Sequence, residues 1–329
     1  MTRYALSTIV VMIALLATGC IKPKITVFPD ATEPLLEHTL QGEGKDKILL
    51  IPVKGFISDT SRGFVLRQKP AMVQEIVSQL KKAEKDKTVK AVLLKVDSSG
   101  GSVSASDILY HEIMEFKRRS GAKLVAVLMG TAASGGYYIA LPADSIVAHP
   151  STITGSVGVI FIRPKVTGLM DKIGLEVEVD KSGRNKDMGS PFRKTTVEEQ
   201  QILQHLIDEL ARKFIDLTVA HRKLDPAALA DVSTARVYLA EEALRLGLVD
   251  KVGYVDDALR EAQTLAGLPP NARVVVYRRA EYPDDNLYNV STSKSDGGRI
   301  SLIDLGPADS FSSLHSGFYY LWLPGAGSE

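Results

Sequence analysis

Cysteine is almost missing: the 329 residues contain one, Cys20. That excludes an intrachain disulfide and any cysteine-built metal site. An excess of either charge is missing too. Forty Lys and Arg stand against 39 Asp and Glu, a formal net charge of +1, and no basic run is interleaved with aromatics, so nucleic acid is not an expected partner. Beyond the N-terminus no stretch reaches the roughly 18 apolar residues of a spanning helix, which argues against a polytopic membrane protein. No Gly-x-x-x-x-Gly-Lys-Ser/Thr loop is present, and neither a nucleotide nor a metal cofactor is expected. What remains is ordinary for a globular protein: 45% apolar, 24% charged, and a length that fits one large or two modest domains.

The lone cysteine is informative by its place. Met1 to Gly19 has a basic start at Arg3, an apolar stretch from Tyr4 to Leu16, and the small residues Ala17, Thr18 and Gly19 directly before Cys20. This is the layout of a bacterial export signal, with an apolar part too short to span a bilayer. A cysteine after a small residue resembles a lipoprotein signal, in which the thiol is lipidated and becomes the new N-terminus, although Ala17 stands where Leu is commonest. The other reading is an uncleaved membrane anchor with a chance cysteine. Under both, the body of the protein is exported and held at a membrane surface, and a diacyl-type anchor holds where one chain does not.

Residues 20–46 are rich in Pro, Thr, Glu and Gly and are expected to form a tether. The domain is expected over 47–280. Its first strand covers Ile48 to Val53, and a helix opened by Pro70 carries Val73, Ile76, Val77 and Leu80 at the helical period. Val89 to Val96 reads as a strand buried on both faces. It ends in the loop Asp97 to Ser102, and a helix follows with Ser104 and Asp107 as its capping box. Leu124 to Leu128 is the third strand. Further strands are expected at Ser145 to Ala148, Val157 to Phe161 and Glu176 to Val179, with a short helix over Lys165 to Ile173. A polar stretch from Asp180 to Lys194 precedes a long helix that starts at Thr195 or Thr196, each with Glu three residues on. Short helices around Ala240 to Leu246 and Val255 to Leu265 close at Gly247 and Gly267, and Arg273 to Tyr277 is the last expected strand. The tail, 281–329, is polar until the cluster Phe318, Tyr319, Tyr320 and Trp322 and is expected to be poorly ordered or partner-dependent. Strand, glycine loop, helix, strand, serine turn and helix follow one another in the order of βαβ units, which place functional loops at strand ends.

The chemistry centres on Gly130-Thr131-Ala132-Ala133-Ser134-Gly135-Gly136-Tyr137-Tyr138. A serine on a strand-to-helix turn is pushed outward, and small neighbours let a substrate backbone approach it. Ser134 is therefore a candidate nucleophile, although a glycine-rich turn with an incidental serine has the same composition. A nucleophile needs a base. Of the six histidines, only His149, near a strand end beside Pro150, sits in a motif-like loop. A desolvated lysine is the alternative base.

Five segments taken together resemble the bacterial signal peptide peptidase A family. They are Ser98 to Val103, Gly130 to Tyr138, Thr154-Gly155-Ser156-Val157-Gly158-Val159, Ser182 to Asp187 with Gly189 to Arg193, and Ala243 to Asp250. The resemblance runs in consistent order from about Ile48 to Ala266. It implies an α/β fold, the Clp protease and crotonase-like spiral of ββα units with a single catalytic domain, and peptide cleavage by a Ser/Lys dyad. Position by position it makes Ser134 the nucleophile and Lys186 the general base, with Lys181 and Lys194 as alternatives in the same stretch. Gly101 and Gly135 supply oxyanion N–H groups, and such donors contribute about 2.7 to 4 kcal/mol each. Ser156 orients the lysine, or is a hydroxyl that caps a turn. Two departures stand in the first loop: Ser99 replaces the usual proline, and Asp97 an uncharged polar residue.

The resemblance further implies that the lysine can come from a neighbouring subunit, so that a chain of this length forms a homo-oligomeric ring. The expected activity is that of a lipid-anchored endopeptidase on the periplasmic side of the cell envelope, acting on cleaved signal peptides or other short extended peptides. A crotonase-like acyl-thioester enzyme and a non-catalytic, membrane-tethered scaffold are the alternatives on the same fold.

Overall fold

The computed structural model describes residues 34–60, 70–279, 286–288 and 316–324. The expected export signal, Cys20 and residues 20–33 of the expected tether lie outside the described residues.

The first strands follow the apolar runs. β1 (Leu36–Gln41) and β2 (Lys47–Lys54) precede helix α1 (Met72–Lys85), and β3 (Val89–Ser98) follows it. The short β4 (Gly100–Ser102) leads into α2 (Val103–Ser120), and β5 (Lys123–Ala133) into α3 (Gly135–Tyr138). Next come β6 (Ser145–Ala148), β7 (Ile153–Gly155), β8 (Ile160–Ile162) and α4 (Thr167–Ile173). The long α5 (Val197–His221) and α6 (Pro226–Val232) are followed by β9 (Val237–Leu239), α7 (Ala240–Arg245) and β10 (Lys251–Val252). The last elements are α8 (Val255–Ala266), β11 (Arg273–Arg278) and β12 (Gly317–Leu321).

A nine-stranded sheet runs in the order β1-β11-β2-β3-β5-β6-β10, with β7 on β5 and β9 on β7. The interior pairs β11–β2, β2–β3, β3–β5 and β5–β6 are all parallel, which is why these strands read as continuous apolar runs. Alternate residues serve opposite faces. Leu49, Ile51, Val92, Leu94, Ala126 and Leu128 pack in one core with Ile76, Leu80, Leu109, Ile113 and Phe116 of α1 and α2. Ile48, Leu50, Leu93, Val125 and Val127 pack with Val255, Ala258, Leu259 and Ala262 of α8. Each large side chain buried in this way contributes about 1.5–3 kcal/mol.

Strand β5 changes partners along its length. Val125 to Leu128 pair with β6, and Thr131 to Ala133 pair with β7. The residues before Ser134 therefore extend a strand, where the sequence suggested a glycine-rich turn.

Several expectations need correction. The tether was expected over 20–46, yet its part Leu36–Gln41 is an edge strand antiparallel to β11. The tail, 281–329, was expected to be poorly ordered or partner-dependent; most of it lies outside the described residues, and its part Gly317–Leu321 is the middle strand of a second, three-stranded sheet, β4-β12-β8. Glu176 to Val179 is no strand; Val177 and Val179 are exposed and have no ladder to join. Helix α2 is capped by Ser102, whose Oγ accepts from Ala105 N at 3.2 Å, two residues before the expected cap. The box of Thr196 and Glu199 at the start of α5 forms as read.

Lys47 fastens β1 to the body, donating to Glu37 Oε2 and Asp86 Oδ2, each at 2.8 Å. Partial burial pushes the Asp86 carboxyl up, but the hydrogen bonds from Lys47 and Thr88 outweigh it and bring its pKa down to about 2. A carboxyl held below its unfolded value of about 3.9 adds stability in full above that value. The contribution is lost as pH falls towards about 2. Asp86→Asn should therefore lower the thermal midpoint at neutral pH, with the gap to the unsubstituted protein closing as the scan pH is brought down. A gap independent of pH counts against this role for the ion pair.

Candidate active site

Three strand ends meet at Ser134. Ala132 in β5 pairs with Ser98 at the end of β3, and Ala133 pairs with Gly155 at the end of β7. The Ser134 N–H donates to Gly155 O at 2.8 Å, and its carbonyl accepts from Tyr138 N at 2.8 Å. Between these bonds Ser134 takes φ 53° and ψ −118°, a conformation that costs a non-glycine residue about 1–3 kcal/mol. The side chain is 1% exposed, and its Oγ has no hydrogen-bond partner among the described residues. A buried hydroxyl without a partner in strained backbone calls for an explanation, and a catalytic role is one.

The first glycine loop closes on this turn. Ser98 Oγ donates to Gly55 O at 2.6 Å and accepts from Gly100 N at 3.1 Å. Gly100 sits at φ 108°, and a Cβ there would lie 2.8 Å from Gly135 N. Gly100 thus spends its N–H on Ser98. Gly101 bridges Ile57 in the parallel sense, through Ile57 N to Gly100 O at 3.0 Å and Ser102 N to Ile57 O at 3.1 Å. In that pattern the N–H of Gly101 points away from Ile57 and towards the cleft beside Ser134. Asp97, the departure in this loop, accepts from Thr131 N at 3.2 Å and braces it to β5.

Ser156 directly follows Gly155, as Ser134 follows Ala133, and has φ 51° and 8% exposure. The two serines therefore leave neighbouring paired strands side by side. Lys186 is not brought to them. It is exposed, on the loop between α4 and α5; its backbone N–H donates to Gly183 O at 3.0 Å, and its amine makes no hydrogen bond or ion pair among the described residues. Lys181, one alternative, is tied to Asp187 Oδ1 at 2.7 Å. The loop is itself clamped: Arg193 donates to both Asp187 carboxylate oxygens at 2.7 Å and to Glu199 of the α5 capping box. These bonds hold Asp187 well below the usual carboxylate range and Glu199 at about 2.

Among the described residues no histidine bonds the Ser134 hydroxyl. His149 is bonded to Ser151 and packs edge-on to Tyr254, while His221 pairs with the Tyr110 hydroxyl at 2.7 Å. Nor do the described residues hold any group of three or more His, Cys, Asp or Glu able to bind a metal ion.

The sequence missed two contributors. One is Ser98, whose hydroxyl shapes the loop. The other is β12, which lies between β4 and β8 directly over the site. Its only signal was the isolated aromatic cluster.

The model of peptidase family S49 matches residues 116–269, and that of Clp protease matches residues 64–152. A protein of Enterococcus faecium provisionally named signal peptide peptidase SppA is 36% identical over 226 residues, 68% of this chain and 65% of that protein. A provisionally named protease of Methanocaldococcus jannaschii is 39% identical over 201 residues, 61% of this chain and 64% of that protein. A third relative, a provisionally named protease of Synechocystis, is 37% identical over 227 residues, 69% of this chain and 77% of that protein. The chain thus spans just under two thirds of the length of the first two.

The turn leaves no room for a side chain at Gly136, where a Cβ would lie 2.3 Å from Ser98 O. Gly136→Ala must push β3 and α3 apart. It should cost about 1–3 kcal/mol of stability, measured by denaturant unfolding; an unchanged midpoint contradicts the close approach.

Proposed function

The chain belongs to peptidase family S49, the signal peptide peptidase A family, and on that premise we propose that it is a membrane-anchored serine endopeptidase with a Ser/Lys dyad. The observation that carries the reading is the strained, buried and unpartnered Ser134 at the meeting of three strand ends. In the proposed reaction Lys186, as the neutral amine, takes the Ser134 proton while Oγ attacks the peptide carbonyl. The oxyanion is received by the N–H groups of Gly101 and Gly135. The proton passes to the departing amine, and water then releases the acyl group by the same route in reverse. Ser156, beside Ser134, orients the lysine amine.

The exposure of Lys186 favours a dyad completed in an assembly. A lysine acts as a base where desolvation favours its neutral form. Leu169, Ile173, Leu175, Val177, Val179 and Phe192, on the segments flanking the Lys186 loop, are all exposed. An apolar surface of this kind is suited to a partner, and a second copy of this chain in a homo-oligomeric ring would enclose the loop. The substrates are short extended peptides, cleaved signal peptides among them, because the edges of β4 and β8 are spaced to hold one extended strand, as they hold β12. Anchoring is assigned to a lipid on Cys20. Among the described residues no helix is long and apolar enough to cross a membrane.

Ser134→Ala and Lys186→Ala should each lower kcat on a fluorogenic peptide by about a thousandfold or more, with the circular dichroism spectrum unchanged. Mixing the two variants should restore part of the activity, because an assembly then contains sites with an intact serine from one chain and an intact lysine from another. Full activity in either variant refutes the dyad, and mixing without recovery refutes its formation between chains.

A further inference from the structure

Residues 174–196, between α4 and α5, contain no helix or strand. A connection of that length in a compact domain is usually functional, and Lys186 stands inside it. Its order comes from side chains. Arg193 is the centre: it donates to both carboxylate oxygens of Asp187 at 2.7 Å and to both of Glu199, one of them at 3.0 Å. Glu199 is 1% exposed and also accepts from Thr196 N at 2.9 Å, so the guanidinium is fastened to the first turn of α5. At the other end Lys165 donates to the carbonyls of Ser190 at 2.5 Å and Arg193 at 3.0 Å, and Val166 N donates to Pro191 O at 3.0 Å. The loop is thus tied to both helices that flank it.

The cations of this stretch are treated unequally. Lys181 is paired with Asp187 at 2.7 Å, Arg184 with Glu198 at 2.7 Å, and Arg193 with Asp187 and Glu199. From Lys181 to Arg193, only the Lys186 amine has no acceptor among the described residues. Its neighbours bind inward: Asn185 Nδ2 donates to Glu198 Oε1 at 3.2 Å, and Asp187 receives Arg193. Both are half-buried, and Lys186 between them is exposed.

We propose that Asp187, Arg193 and Glu199 are positioning residues for the general base, forming a clamp that holds the loop in one arrangement and presents the Lys186 amine to Ser134 of a second copy of this chain. This rests on the dyad between chains proposed above. A charge-assisted, two-pronged bond is both strong and geometrically selective, and misplacing a catalytic group by about 1 Å costs about a hundredfold in rate. A loop without its clamp keeps the lysine but seldom brings it to the serine, so the loss falls on kcat and spares KM. Lys181 is spent on the clamp, and Lys186 is left free by it.

Arg193→Gln in the full-length protein should lower kcat on a fluorogenic peptide by about tenfold or more with KM unchanged. Mixing then locates the defect. Ser134→Ala lends a correctly held Lys186, so mixing it with Arg193→Gln should restore part of the activity. Lys186→Ala has only the unclamped lysine to receive, and mixing it with Arg193→Gln should restore none. Recovery with Lys186→Ala, or with neither variant, overturns the clamp, because the defect then lies on the serine side or in the fold as a whole. If Ser134→Ala and Lys186→Ala do not complement each other, presentation to a second copy is overturned. If Arg193→Gln does not fold, Asp187→Asn, which keeps the size and removes the charge, is read in the same way. Full activity in Arg193→Gln, or in folded Asp187→Asn, overturns the clamp and leaves the peptidase reading standing. No cleavage by the unsubstituted protein overturns the peptidase reading and this inference together.

Discussion

The site depends on how closely two backbone turns approach one another. The loop from Ser98 to Gly101 and the turn from Ser134 to Gly136 touch main chain to main chain, with Gly136 against the Ser98 carbonyl and Gly100 against the Gly135 nitrogen. Neither turn could hold its conformation alone. Ser134 is strained, and strain of this kind persists only where the surroundings over-determine it. Here they do so through the pairing of β5 with β3 and β7 and through the bond from Ser134 N to Gly155 O. The parallel sheet, buried on both faces, is the stiff support that lets three strand ends be placed side by side.

Much of this was legible in the sequence, for identifiable reasons. Apolar runs such as Val92 to Leu94 and Leu124 to Leu128 announce strands buried on both faces, and the Thr196 box announces α5 through local chemistry. Local signals fail where pairing is decided at a distance. The run Val177 to Val179 has strand composition but no partner, whereas Leu36 to Gln41, in a stretch that reads as a tether, is captured by β11 more than two hundred residues later. The aromatic tail is the same case. Its alternation is too short to declare a strand, and only the vacant edges of β4 and β8 make it one.

The candidate site divides in a similar way. Ser134 stood out as a candidate because small residues crowd it, and Gly101 came from the resemblance. Their meeting was not readable from spacing, and neither was the part of Ser98, a common residue whose use appears only when Gly55 and Gly100 come within reach of its hydroxyl. Lys186 came from the resemblance. Its surroundings show a loop pinned by Asp187, Arg193 and Glu199 to the start of α5, which fixes where the loop sits on the chain while leaving the lysine itself free to reach outward.

Because β12 is part of the same polypeptide as the cleft it fills, its hold on the site does not weaken on dilution. A tethered segment faces its site at an effective concentration of roughly millimolar. A free strand would take its place between β4 and β8 only at a comparable concentration.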